Sequence, residues 1–224
     1  MNDVWALIPV KSLERSKSRL NSVLNPQECA MLSRAMFMDV LDALNDAEGI
    51  SNIAVLTNDE DVAGLASQLG HLVIADQSEG ELCDGLNAAA KQLAELGADG
   101  VLILPGDLPT VTAADIESLL AKHEGGLSLC PAIRDGGTNA LLCSPPDALP
   151  FQFGQDSARK HLELAEISGI KTNRLPMHAF FRDIDTPEDL SWLARQGVGG
   201  NTSRFLQRSG INARLKPGLS GASA

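Results

Sequence analysis

Val101-Leu102-Ile103-Leu104-Pro105-Gly106-Asp107-Leu108-Pro109 decides the fold class. Four consecutive aliphatic residues with no polar alternation suit a strand covered on both faces of its sheet. Helical patterns flank it, over residues 83–96 before it, ending near Gly97, and over 112–122 after it. The same alternation runs along the chain. Residues 4–10, 53–57, 72–75, 127–132, 139–143 and 179–184 read as strands, and 26–45, 60–69, 156–168 and 187–195 as helices. Asn25 suits an N-cap and Pro26 the first helical position. Strands alternating with helices make an α/β protein with a mainly parallel sheet flanked by helices. Ligands on such sheets bind beyond the carboxyl ends of the strands. Residues 1–196 read as one domain. From Gly197 the composition shifts to Gly, Ser, Asn and Arg without clear periodicity, so 197–224 reads as a tail, poorly ordered or docked as an extension.

Asp107 leaves the end of this buried strand between a glycine and two prolines. Gly106 permits close backbone approach and the prolines stiffen the turn. A carboxylate held there suits a hard cation such as Mg²⁺, and equally an ordinary Asp-capped turn. At the other end of the chain, the apolar run Val4–Val10 leads directly into Lys11-Ser-Leu-Glu-Arg15-Ser-Lys17-Ser-Arg19. The protein carries a net charge of −11, yet four of its 18 Lys and Arg residues sit in this loop. Cations gathered after a strand suit a multiply charged anion such as a nucleoside triphosphate; a solvated surface loop is the alternative. Lys11, Lys17 and Arg19 are the best phosphate ligands and the catalytic candidates, whereas Arg15 suits solvent.

Arg182-Asp183-Ile184-Asp185-Thr186-Pro187-Glu188-Asp189 adds two carboxylates. Asp183 and Asp185 share a face of an extended segment, and with Asp107 they would repel one another unless a divalent cation is present. Thr186 with Asp189 resembles a capping box, which accounts for Thr186 to Asp189 as structure but not for Asp183 and Asp185. Gly80 to Ala89 carries glycines into a small-residue helix; Asn87 there could read a base or ribose, although small residues at helix starts more often serve packing. Arg134-Asp135-Gly136-Gly137-Thr138-Asn139 can present amides and the Thr138 hydroxyl to an anion, or form a hairpin turn. In Phe153-Gly154-Gln155-Asp156-Ser157, Ser157 stands at a helix N-terminus, an anion site or a cap.

The totals exclude several classes. The acidic balance argues against nucleic-acid binding. No apolar run approaches the ~20 residues of a membrane span, and no secretory signal is visible. Cys29, Cys83, Cys130 and Cys143 make no metal or Cys-x-x-Cys pattern and read as reduced, cytoplasmic thiols. There is no Walker phosphate loop, dinucleotide fingerprint or nucleophile elbow. The dispersed histidines His71, His123, His161 and His178 read as surface or structural residues.

The ordered set Ile8-Pro9-Val10-Lys11, Lys17-Ser18-Arg19-Leu20, Gly85-Leu86-Asn87-Ala88, Pro105–Pro109, Gly137–Leu141, Phe153-Gly154 with Ser157, and Asp183–Pro187 resembles the family of 2-phospho-L-lactate, phosphoenolpyruvate and 3-phosphoglycerate guanylyltransferases of coenzyme F-420 biosynthesis. The resemblance covers residues 4–195. It implies a three-layer, Rossmann-like nucleotidyltransferase fold, GTP at Lys11, Lys17, Arg19 and Asn87, and Mg²⁺ at Asp107, Asp183 and Asp185. It also implies the phospho-acid at Thr138, Gly154 and Ser157. The implied activity joins GMP from GTP to the acid's phosphate with release of pyrophosphate. The alternatives are transfer to another acceptor, such as a sugar phosphate or the molybdenum cofactor, and a non-catalytic nucleotide-binding domain. The implied partners are small molecules, with no nucleic acid or membrane; oligomeric state stays open, a homodimer included.

Overall fold

The computed structural model describes residues 3–13, 17–78, 81–197 and 199–215. Arg15 and Gly80 lie outside them. Seven strands form one sheet: β1 (Val4–Pro9), β2 (Ile50–Leu56), β3 (Leu72–Ile74), β4 (Gly100–Ile103), β5 (Gly126–Pro131), β6 (Thr138–Ser144) and β7 (Thr172–Arg174). Their order is β3-β2-β1-β4-β6-β5-β7. The first four strands are parallel, with Leu7 opposite Ala54 on one side and Ile103 on the other. β6 runs antiparallel to both β4 and β5. That reversal brings the start of β6 to the same rim as the ends of β1 and β4.

The helices are α1 (Pro26–Asp46), α2 (Glu60–Gln68), α3 (Leu82–Glu95), α4 (Ala113–Ala121), α5 (Ser157–Ile167), α6 (Pro187–Gln196), α7 (Gly200–Arg208) and α8 (Ile211–Arg214). Asn25 caps α1 through a reciprocal pair with Glu28, with Pro26 in the first turn, as the sequence predicts. Among the described residues, no helix is long and apolar enough to cross a membrane.

Alternation along the central strands splits the core between the two faces. Ala6, Ile8, Val55, Leu102 and Leu142 pack with Phe37, Val40 and Leu41 of α1 and Ile116 of α4. Leu7, Ala54, Ile103 and Leu141 pack with Leu86, Ala89 and Leu93 of α3 and Ala158 of α5. The unbroken Val101–Leu104 run is thus explained: every one of its side chains is buried.

Two segments depart from the sequence reading. Residues 179–184, expected as a strand, are irregular, with a short 3₁₀ turn over His178–Phe180. Their apolar residues are anchors: Phe180 is fully buried, and the Ile184 amide donates to the Asp107 carbonyl at 3.1 Å. The strand lies earlier, at Thr172–Arg174, an edge pairing with β5 whose polar side chains hide it from a hydropathy reading. After Gly197 the chain forms α7 and α8. Leu206 and Ile211 close a third cluster with Leu20, Leu24, Leu32, Met36, Ile184 and Leu190. The buried Asp39 carboxylate of α1 accepts from the Asn201 amide at 2.5 Å and the Thr202 amide at 2.9 Å, so α1 caps the first turn of α7.

Candidate active site

β1 and β4 end side by side, and their following loops face each other across a cleft of about 560 Å³. Its walls include Pro9 to Leu13, Lys17, Met36, Phe37, Gly106, Asp107 and Asp185. Lys17 is held in the left-handed region at φ 61°, just before the 3₁₀ turn Ser18–Leu20. Leu20 is fully buried and fixes that turn. The Lys17 ammonium donates to Asp107 Oδ2 at 2.6 Å and lies 3.6 Å from Asp185 Oδ1. Arg19 NH1 donates to the other Asp185 oxygen at 2.7 Å, with most of its side chain exposed. Lys11 is exposed on the cleft wall.

Charge, not proximity alone, ties these groups together. Burial pulls the Lys17 ammonium down, but Asp107, Asp185 and Asp183 outweigh it and hold the lysine more firmly protonated than usual. Burial, then the negative charge of Asp107, pushes the Asp183 carboxyl up. Asp107, Asp183 and Asp185 therefore all act on the Lys17 ammonium. Beside them, Arg134 pairs with buried Asp189 and lies 3.9 Å from Asp185. Burial pushes the Asp189 carboxyl up, but its hydrogen bonds with Arg134 and Thr186 prevail and hold it below the usual range. The Thr186–Asp189 capping box is formed as expected. Asp189 thus serves both the start of α6 and the orientation of Arg134.

The donor set suits a hard divalent cation in type. Asp107 Oδ1 is buried and lacks a hydrogen-bond partner among the described residues, leaving one oxygen for a cation to take. Among the described residues, no three acidic, His or Cys side chains close into a cage as they stand; the Lys17 ammonium lies between Asp107 and Asp185 instead.

A second cluster lies along the same rim. Thr138 opens β6, Ser157 opens α5, and both side chains are buried. Ser157 Oγ donates to Thr138 Oγ1 at 2.9 Å, and His161 Nδ1 lies 3.3 Å from the same oxygen. The Gly136–Thr138 loop and α5 are joined through the Ala158 amide and the Gly136 carbonyl at 3.1 Å. Gly154 takes φ 120° in the turn before α5, a conformation open to glycine and strained for other residues. Asn87 sits in the first turns of α3, where its Oδ1 accepts from the Phe151 amide at 2.7 Å and so anchors the segment leading to Gly154. Neither Asn87 nor the Thr138–Gly154–Ser157 set lines the carboxylate cleft itself.

Arg134, Asp189 and His161 were not among the expected site residues. Arg134 stood in a quoted motif, but its partner is 55 positions away. His161 falls at i+4 from Ser157 on α5, a spacing that places the two on one helix face.

With this geometry in view, the comparisons decide the family. The family described as "Guanylyl transferase CofC like" matches residues 4–222. The chain belongs to this family. It is 37% identical over 213 residues to a phosphoenolpyruvate guanylyltransferase of Roseiflexus sp. (strain RS-1), covering 92% of this chain and 94% of the relative. It is 31% identical over 215 residues to a 2-phospho-L-lactate guanylyltransferase of Methanothermobacter thermautotrophicus, covering 95% and 92%. A solved protein from Desulfovibrio desulfuricans G20, assigned as a nucleotide-diphospho-sugar transferase, superposes with a TM-score of 0.80 at 22% identity, covering 96% and 98% of the two chains. CMP:2-keto-3-deoxy-manno-octonic acid synthetase complexed with CTP superposes at 0.58 and 14% identity, covering 92% and 99%. These structures establish the nucleotidyltransferase fold, and membership of the CofC-like family makes the chain a nucleotidyltransferase enzyme.

Proposed function

We propose that the chain transfers GMP from GTP to the phosphate of a three-carbon phospho-acid with release of pyrophosphate, as a step of coenzyme F-420 biosynthesis. The candidate acids are phosphoenolpyruvate, 2-phospho-L-lactate and 3-phospho-D-glycerate, small molecules of the cytoplasm. The observation that carries this reading is Lys17 set between Asp107 and Asp185 in a cleft at the strand ends, within a guanylyltransferase family.

An oxygen of the acid's phosphate forms a bond to the α-phosphorus of GTP, and the bond from that phosphorus to the bridging oxygen of the pyrophosphate breaks. The attacking oxygen is already anionic, so the protein need not supply a strong base. Its task is to hold two polyanions together and to offset the charge that builds on phosphorus and on the departing oxygen. Lys11, Lys17 and Arg19 supply cations on the triphosphate side. Arg134, oriented by Asp189, supplies one between the carboxylates and the Thr138 rim. Mg²⁺ held by Asp107, Asp183 and Asp185 would add Lewis-acid neutralisation of the phosphates. Thr138, Gly154 and Ser157 are proposed to take the acid, and Asn87 to contribute to the nucleotide site through the segment it anchors.

Pyrophosphate release tests the reading. GTP and Mg²⁺ are supplied with each acid in turn, and with glucose 1-phosphate as a sugar-phosphate competitor. Release with one of the three acids and not with the sugar phosphate is expected. Release with the sugar phosphate alone, or with no acceptor, would refute it.

A further inference from the structure

We propose that His161 is a positioning residue for the acid: it fixes the direction in which the Thr138 hydroxyl donates. This rests on the proposed acid site at Thr138 and Ser157. His161 is fully buried, beside the edge of Phe153 at 5.2 Å between ring centres. Both ring nitrogens have partners. The Gln152 amide donates to Nε2 at 2.8 Å. A backbone amide can only donate, so Nε2 is the bare nitrogen and a neutral ring carries its hydrogen on Nδ1. Burial pushes the imidazole down to about 4, against a smaller upward pull from a hydrogen bond to the Ser157 backbone, so the ring is neutral near pH 7. The Nδ1 hydrogen then lies toward Thr138 Oγ1, at 3.3 Å, and is shared with the Ser157 backbone carbonyl.

The hydroxyl bookkeeping follows. Thr138 Oγ1 has two lone pairs and one hydrogen. One lone pair accepts from Ser157 Oγ and the other from His161 Nδ1. With the Ser157 hydroxyl as the donor of that pair, the Thr138 hydrogen is the one these three side chains leave unused. Thr138 opens β6, next to the loop that carries Arg134, so this hydrogen is a fixed donor at the rim. Its fitting ligand is an oxygen-only acceptor such as a carboxylate. The Gln152 amide thus sets the His161 tautomer, His161 sets Thr138, and Thr138 presents a donor without having to reorient when the acid arrives. Ser157 and Asp156 open the helix that carries His161, and the Gln152 amide precedes the Gly154 turn, so the network also fixes the turn against the helix.

The test is steady-state kinetics on the full chain, with the acid that supports release in the acceptor screen. His161→Phe removes both ring nitrogens and is expected to raise KM for the acid about tenfold, with KM for GTP changed less than about twofold. His161→Asn restores an N–H in the place of Nδ1 and is expected to recover most of that loss. An unchanged acid KM in His161→Phe overturns the proposal, and so does a parallel rise in both KM values, which is what loosened packing would give. If His161→Phe lacks the heat-denaturation transition of the folded chain, His161→Asn against His161→Gln decides: acid KM in Asn well below that in Gln supports the proposal, and equal values overturn it. Thr138→Val separates the underlying reading. An unchanged acid KM there removes the Thr138 acid site, and the His161 role with it. A raised acid KM in Thr138→Val with none in His161→Phe leaves that site standing and overturns His161 alone.

Discussion

Acid should remove a large part of the stability that the buried imidazole of His161 confers. The ring is fully buried, and burial pushes its value down to about 4 from an ordinary 6.5. Protonating Nε2 would set two donors, the ring and the Gln152 amide, against each other. The sign follows from proton binding. Between about pH 6.5 and about pH 4 the unfolded chain holds a proton on this ring and the folded chain does not. The contribution is complete above about pH 6.5, falls as the pH drops, and is gone below about pH 4. A gap of about 2.5 pH units at ~1.36 kcal/mol each is worth about 3 kcal/mol. The assay is urea unfolding of the wild type and of His161→Asn at about pH 7.5 and about pH 4. Carboxylates titrate in both proteins, so the comparison isolates the ring. The wild type should lose about 3 kcal/mol more than the variant over that interval. Two stabilities that fall in parallel would refute the buried neutral imidazole.

Further outcomes follow from other residues. Asp39→Ala leaves the Asn201 and Thr202 amides without their acceptor and should cost about 1–3 kcal/mol, with early proteolytic cleavage beside α7 as a second readout. Asp183→Asn should raise the heat-denaturation midpoint in chelator near neutral pH, because burial and Asp107 disfavour the ionised carboxylate there; the gain should shrink on acidification, and pyrophosphate release should be lost. Lys17→Met should lower pyrophosphate release by about 100-fold or more, measured under saturating GTP.

Much of this was legible in the sequence because the signals were local. Continuous apolar runs marked β1 and β4, and Asn25-Pro26 and Thr186-Pro187 marked helix starts. The meeting of the loops after β1 and β4 followed from topology, since residues just after parallel strands meet at one rim. That is how Lys17 and Asp107, which follow β1 and β4, could be placed together from positions far apart in the chain, whereas Asp185 follows an irregular segment. The misreadings have physical causes. Phe180 and Ile184 are apolar because they anchor an irregular segment, and Thr172–Arg174 is polar because it forms the sheet's edge. α7 is polar on most sides, and it docks through Leu206 and through Asp39, a charge on a distant helix that no local pattern reveals. Asn87 stood out in the sequence as a candidate, but its bond to the Phe151 amide did not.

Manganese binding tests the convergence of the acidic residues most directly. Mn²⁺ is titrated into the protein with a non-hydrolysable GTP analogue, and the free-ion signal is followed by electron paramagnetic resonance. The wild type should take up the ion, Asp107→Asn and Asp183→Asn should weaken uptake by about tenfold or more, and Asp84→Asn, an exposed carboxylate on α3, should leave it unchanged. Equal uptake by all four proteins would contradict the account.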